Sequence, residues 1–239
     1  MIGDTLSHAS LAGISLGLLF GQNPIIGAFI FTSICGALIE FLRNYFRKYT
    51  DLILSIVLSL SVGIAISIMS SGKLNANAQS YMFGSILTVT KTDIITIFIL
   101  SVISVLILIL FYHQLLYISY DEEAAKVAGV KVRFINYIFA ILVASAIAAS
   151  IRIVGVLVLS SMIALPVATA IQLEKGFKIT LIASVIFSII DIMVGLFLSY
   201  YVNVAPGGFT AVVSVFVLLL VIIIKRIRYI YTLGTRRRA

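Results

Sequence analysis

The chain has 239 residues, of which 62% are hydrophobic and 11% charged, with a net charge of +8. Soluble domains carry about 45–50% apolar and about 25% charged residues, so a mean hydropathy of +1.20 excludes a water-soluble enzyme, and the Ile/Leu/Val richness excludes a disordered chain. A single cysteine, Cys35, and two histidines exclude a disulfide scaffold and a cysteine-rich zinc module. The composition is that of an all-α polytopic membrane protein.

A spanning helix needs about 20 mostly apolar residues, because the hydrocarbon core is about 30 Å thick. The first predicted span covers 2–20 and carries Asp4 and His8. Four residues apart, they share one helical face, with Ser7 and Ser15 bordering the same stripe. An ionisable group inside a span costs at least about 2.5–3.5 kcal/mol, so the pair asks for a reason. A carboxylate and an imidazole are good ligands for a divalent transition metal. Two ligands give weak, reversible binding, which suits an ion that must be released. The alternative is structural: Asp4 caps the helix at the membrane edge while His8 hydrogen-bonds a neighbouring helix. A second stripe, Ala9, Gly13, Gly17 and Gly21, places small residues at every fourth position, a spacing that lets helix backbones approach closely in membranes.

Spans follow at 25–42, 52–71 and 94–117. Residues 72–93 read as an outer-side excursion, partly re-entrant around 81–85. Ahead of the fifth span, 119–130 is predicted as a short cytoplasmic helix. Ser119 with Glu122 three residues on forms a capping box, and Asp121, Glu122 and Glu123 crowd the positive end of the helix dipole. Ala125 and Val127 supply small apolar positions, and Gly129 ends the helix. Too short to fold alone, the segment reads either as a rigid peg for a cytoplasmic partner or as an ordinary inter-helix loop.

The last four spans are placed at 134–151, 155–173, 179–202 and 209–224, with only Arg152 and Gly155 punctuating the first two. Asp191 lies mid-span between Ile190 and Ile192. It is either a third ligand or proton acceptor on a path, or a carboxyl satisfied across a helix interface. Glu40, His113 and Arg152 lie near span ends, where long side chains reach the interface, and no chemistry is assigned to them. Eight spans leave no room for a soluble domain, so 1–239 reads as one transmembrane domain.

Lys and Arg collect on the cytoplasmic side of membrane proteins. With eight spans and both termini inside, that side receives Arg43, Arg47, Lys48, Lys126, Lys131, Arg133, Lys175, Lys178 and the six basic residues from Lys225 to Arg238. The other side receives only Lys73, Lys91 and Arg152. The basic terminus therefore reads as an anchor beside anionic lipid and not as a nucleic-acid grip.

Two segments together resemble the permease subunit of the bacterial ABC importers of zinc, manganese or iron(II). Gly-Asp-Thr-Leu-Ser-His-Ala-Ser-Leu-Ala-Gly at 3–13 is similar to that family's G-D-A-L-S-H-A-x-L-P-G signature. Tyr-Asp-Glu-Glu-Ala-Ala-Lys-Val-Ala-Gly-Val at 120–130 is similar to its coupling-helix motif. The runs at 83–87, 152–157 and 166–170 follow further family patterns. The resemblance implies a multi-pass permease of the bacterial inner membrane, usually a homodimer, whose coupling helices bind a cytosolic ATPase while an extracytoplasmic metal-binding protein docks outside. It implies that Asp4 and His8 line the path and contact the metal, that 121–130 couples to the ATPase, that no cofactor is permanently bound, and that ATP acts through the partner. No Walker-type phosphate loop occurs in the chain itself. Ala12 stands where the family has proline, which softens a kink. The family also has about one more span ahead of the signature, so a chain starting at Met1 implies a late start or a truncation that leaves the metal-site helix without a neighbour.

Two rival readings use the same residues. A secondary transporter would drive the Asp4–His8 pair with a proton gradient and need no ATPase. An intramembrane aspartyl protease would need the carboxylates of Asp4 and Asp191 to meet in one site.

Overall fold

The computed structural model describes residues 2–46, 49–72, 81–82, 84 and 89–236. The described residues form helices and no strand: α1 Ile2–Leu19, α2 Pro24–Tyr45, α3 Thr50–Ser70, α4 Lys91–Leu110, α5 Tyr112–Tyr120, α6 Glu122–Val127, α7 Val132–Val154, α8 Val156–Ile171, α9 Phe177–Val202 and α10 Pro206–Arg236. The chain divides into two compact units, Met1–Leu159 and Ser160–Ala239, with the boundary inside α8.

All eight predicted spans fall on helices, but among the described residues five are long and apolar enough to cross a membrane, or six if α4 and α5 count as one broken span. The two that fall short do so for visible reasons. At 18 residues α1 is about 27 Å long, and Asp4, His8 and its serines lower its hydropathy. At 16 residues α8 is about 24 Å long. The span expected over 94–117 is bent by 67° at Phe111 without glycine or proline. The break falls where an unbroken aliphatic run gives way to Tyr112, His113 and Gln114, side chains whose polar ends seek water. Most of the excursion expected at 72–93, and the motif at 83–87 apart from Gly84, lie outside the described residues.

In the first unit α1 sits at the centre, packed against α2, α3 and α7. The small-residue stripe does what its spacing predicts at two of its positions. A side chain added at Gly13 would begin 2.5 Å from the Gly27 carbonyl oxygen and 2.7 Å from the Ala28 Cα, and one at Gly17 would begin 3.1 Å from the Pro24 Cα. Gly21 is a different matter. It terminates α1 at φ +65°, with Gln22 N–H donating to Gly17 O and Gly21 N–H to Leu18 O, the paired bonds of a Schellman turn. Asn23 then caps α2, its Oδ1 accepting from Ile25 N at 2.9 Å, and Pro24 takes the first helical position, where its missing N–H is harmless. A tight α1–α2 hairpin results. Leu6, Ala9, Cys35, Ile39, Leu54, Val57, Ile147 and Leu159 make one core cluster around it. A second, built on Ala12, Ile14, Ala28, Ala65, Ala148, Ile151 and Val156, lies beside it. Gly155 separates α7 from α8 at φ +82°, ψ 154°, backbone open in practice to glycine alone.

In the second unit α9 and α10 form an antiparallel pair. Gly195 is pressed against Thr210 so closely that a side chain there would meet the Thr210 backbone. Phe98 and Ile109 of α4, Met193 of α9 and Phe216 of α10 are all about two-thirds exposed. In each unit, large apolar side chains left that open belong in lipid, not water.

Candidate functional site

From residue 4 to residue 15 of α1, Asp4 and His8 alone are left open by its neighbours. Thr5, Leu6, Ser7, Ala9 and Ser10 are all buried, whereas the Asp4 side chain is 46% and the His8 side chain 27% exposed. His8 Nε2 lies 3.7 Å from Asp4 Oδ1, too far for a hydrogen bond, so the two groups face one point without being locked together. Donors each about 2.1 Å from a metal at a tetrahedral angle stand about 3.4 Å apart. A small side-chain rotation brings the pair to that spacing. The nearby serines are not part of this surface as the stripe predicted. Ser7 Oγ donates to Gly3 O at 2.8 Å, Ser10 Oγ to Ser7 O at 2.6 Å and Ser15 Oγ to Leu11 O at 2.9 Å, turning each hydroxyl back onto its own helix. No three His, Cys, Asp or Glu side chains gather into a ligand set among the described residues, so Asp4 and His8 stand here as a pair.

Asp191 sits on the face of α9 that carries Gly195 and Ser199, all three buried. Its Oδ2 accepts a hydrogen bond from Ser214 Oγ of α10, while Oδ1 has no hydrogen-bond partner. The serine across the helix interface thus satisfies one of the two carboxyl oxygens and leaves the other without a partner.

The cytoplasmic-type peg exists, but its start is shifted. Ser119 is not the cap: α5 runs on through Tyr120, and Ser119 Oγ donates to Leu116 O within it. Asp121 is the cap, its Oδ1 accepting from both Glu123 N and Ala124 N at 2.9 Å. The far end matches expectation, with Gly129 at φ +83° and a second Schellman pair, Val130 N–H to Ala125 O and Gly129 N–H to Lys126 O. Ala125 is wholly buried, Val127 is 90% exposed, and Glu123 points outward. Thus α6 is six residues long, fixed at both ends, with one apolar knob facing away from the fold.

Glu122 is not the reciprocal half of a capping box. Its carboxylate bridges Lys126 Nζ at 2.6 Å and Arg43 Nη2 of α2 at 2.6 Å. Arg43 Nη1 lies 3.6 Å from Oε2 of Glu40, a nearly buried carboxylate whose Oε1 accepts from Asn136 Nδ2 of α7 at 3.1 Å. Sequence reasoning passed over Glu40, Arg43 and Asn136. The Glu40–Arg43 spacing of three residues near a span end was the only available signal, and an exposed pair at that spacing contributes little. Partial burial pushes the Glu122 carboxyl up, but the Lys126 hydrogen bond and the charges of Arg43 and Lys126 prevail and hold it below its ordinary value. A depressed carboxylate stabilises above its unfolded titration and loses that contribution as pH falls through the folded one. The α6 amides are therefore expected to stay protected from hydrogen exchange down to about pH 5 and to lose protection only below the ordinary glutamate value of about 4.3. Loss of protection between about pH 7 and 5 would contradict the ion-pair anchor.

Apolar helices long enough to span a bilayer, around one helix that keeps a carboxylate and an imidazole uncovered on one side, define a multi-pass membrane protein. The sequence profile of the ABC 3 transport family matches residues 1–225, and the chain belongs to that family. It is 53% identical over 227 residues to a Treponema pallidum protein described as "Probable metal transport system membrane protein", covering 95% of this chain and 85% of the relative. It is 32% identical over 220 residues to the high-affinity zinc uptake system membrane protein ZnuB of Buchnera aphidicola, covering 91% and 84%. Among solved structures, PsaBC from Streptococcus pneumoniae in complex with Fab superposes with a TM-score of 0.78 at 27% identity, covering 92% of this chain and 79% of that one. Membership in an ABC transport family displaces both the protease and the gradient-driven transporter readings.

Proposed function

We propose that this chain is the permease subunit through which a bacterial inner-membrane importer moves a divalent transition metal, zinc, manganese or iron(II). The observation that carries the reading is the Asp4–His8 pair, 3.7 Å apart on the uncovered strip of an otherwise buried helix. Both groups give lone pairs to borderline metals, and two ligands hold an ion loosely enough to let it go. In a twofold dimer the strip of one chain faces its copy, and two pairs supply the four ligands that a tetrahedral ion takes. Asp191, tied to Ser214, is a lesser candidate for the path.

The peg α6 is the seat of a cytosolic ATPase on this reading, with Val127 as the side chain that enters it and Asp121, Glu122 and Gly129 as the groups that hold its shape. Both termini then lie in the cytoplasm, and an extracytoplasmic binding protein delivers the ion to the opposite face. The test is reconstitution of the chain with its ATPase in liposomes, with the metal-loaded binding protein outside. ATP-dependent accumulation of one of the three metals is expected. Accumulation driven by a proton gradient without ATP, or none for any of the three, overturns the reading.

A further inference from the structure

The ionic chain that begins at α6 does not stop at the helix it anchors. Arg43 binds Glu122 with one guanidinium nitrogen and faces Glu40 with the other, and Glu40 in turn holds Asn136. Three elements far apart in sequence, α2, α6 and α7, therefore meet at the Arg43–Glu40 pair of α2. Six residues cannot set their own orientation; the caps fix the shape of α6, whereas Arg43 ties it to the spans. A planar, always-charged guanidinium suits this position, because it can hold two carboxylates at once in fixed directions.

What lies beyond Arg43 is the candidate metal helix. Gly13 against Gly27 and Gly17 against Pro24 leave no slack between α1 and α2, so a displacement of α2 carries α1 with it. The same antiparallel register sets Leu6 beside Gly36 and places Asp4 level with the turn between Gly36 and Glu40. A cleft lined by Ile2, Leu6, Glu40, Arg43 and Asn136 opens here, and Ile2 and Leu6 flank Asp4 in the first turns of α1. The ionic chain thus ends about one to two helical turns from the Asp4–His8 pair.

We infer that Glu122–Arg43–Glu40 is a mechanical linkage, with Arg43 as the positioning residue that passes movement of α6 into the α1–α2 hairpin holding Asp4 and His8. The inference rests on the proposed permease function and adds to it the route by which ATP turnover reaches the metal. It predicts a specific fault: without Arg43 the partner still docks and hydrolyses ATP, but the metal site does not follow.

The experiment compares wild type, Arg43→Ala, Arg43→Lys and, as a control, Lys225→Ala, which breaks the exposed Glu174–Lys225 pair of the second unit. Each is reconstituted with the ATPase and the zinc-, manganese- or iron-loaded binding protein. The readouts are ATPase co-purification, hydrolysis rate and metal moved per ATP. Arg43→Ala is expected to retain the ATPase while metal moved per ATP falls about tenfold. Arg43→Lys recovers part of that ratio, because an ammonium reaches one carboxylate at a time, and Lys225→Ala matches wild type. A wild-type ratio in Arg43→Ala overturns the linkage, as does an equal loss in Lys225→Ala. If Arg43→Ala does not assemble, Glu122→Gln cuts the chain at its other end and leaves Arg43–Glu40–Asn136 intact. The same fall in ratio supports the linkage, and an unchanged ratio, or failure of this variant to assemble too, reduces the network to a folding element and overturns it. Failure of the wild-type complex to move any of the metals is a separate outcome that counts against the permease reading itself.

Discussion

Asp4→Ala and His8→Ala are each expected to abolish metal uptake while leaving the chain folded and bound to its ATPase. The two side chains are partly exposed and carry little packing, and their 3.7 Å separation means that neither holds the other by a hydrogen bond. Their removal therefore leaves no buried group unpaired, the usual source of a large folding penalty. The ion feels the loss instead. Changing a group that merely orients a metal ligand reduces affinity by about 10–100-fold, and on the proposed function losing one of the two candidate ligands exceeds that. Uptake of labelled zinc, manganese or iron at substrate concentrations near wild-type half-saturation checks the expectation, with ATPase co-purification as the control for assembly. Uptake within about twofold of wild type in either variant would remove the pair from the path.

Gly13→Leu is expected to be strongly damaging to folding. The added side chain would begin 2.5 Å from a carbonyl oxygen and 2.7 Å from a Cα, both backbone atoms that cannot rotate away. Overpacking against movable side chains already costs about 1–3 kcal/mol, and here the hairpin itself must part, so the loss should be at least about 3 kcal/mol. Gly63, in the middle of α3, meets nothing within 4 Å. Gly63→Ala is expected to be neutral or stabilising by up to about 1 kcal/mol, the ordinary helix-propensity gain. Thermal unfolding in detergent compares the two, and a similar melting point for Gly13→Leu and wild type would show that α1 and α2 are less closely seated than described.

The places where the sequence was legible share a cause. Helices α2, α3, α7 and α9 stand against lipid, so their apolar runs are long and their limits fall within a few residues of expectation, as does the start of α10, whose far end runs on to Arg236, twelve residues past the expected 224. The Asp4–His8 face and the Gly13–Gly17 face were readable because helical spacing alone decides which residues share a side. Other features needed three dimensions. Ser119 and Asp121 are both good caps, and nothing local says that α5 continues through Tyr120 and leaves Asp121 to start α6. Gly21 matches the packing period yet serves as a turn, since periodicity does not report where a helix stops. Phe111 carries a 67° bend with none of the residues that usually mark one. The Glu122–Arg43 contact joins residues 79 positions apart, and no spacing rule reaches that far.

The closeness of α1 and α2 bears on biogenesis. With Asp4, His8 and three serines, α1 is a weaker spanning helix on its own than α2. Joined by the Gly21 turn and fitted glycine to glycine, the two make a unit in which the apolar partner brings the polar one along as a passenger. The Asp4–His8 segment would thus be held in the bilayer through α2, whose emergence from the ribosome helps to commit it.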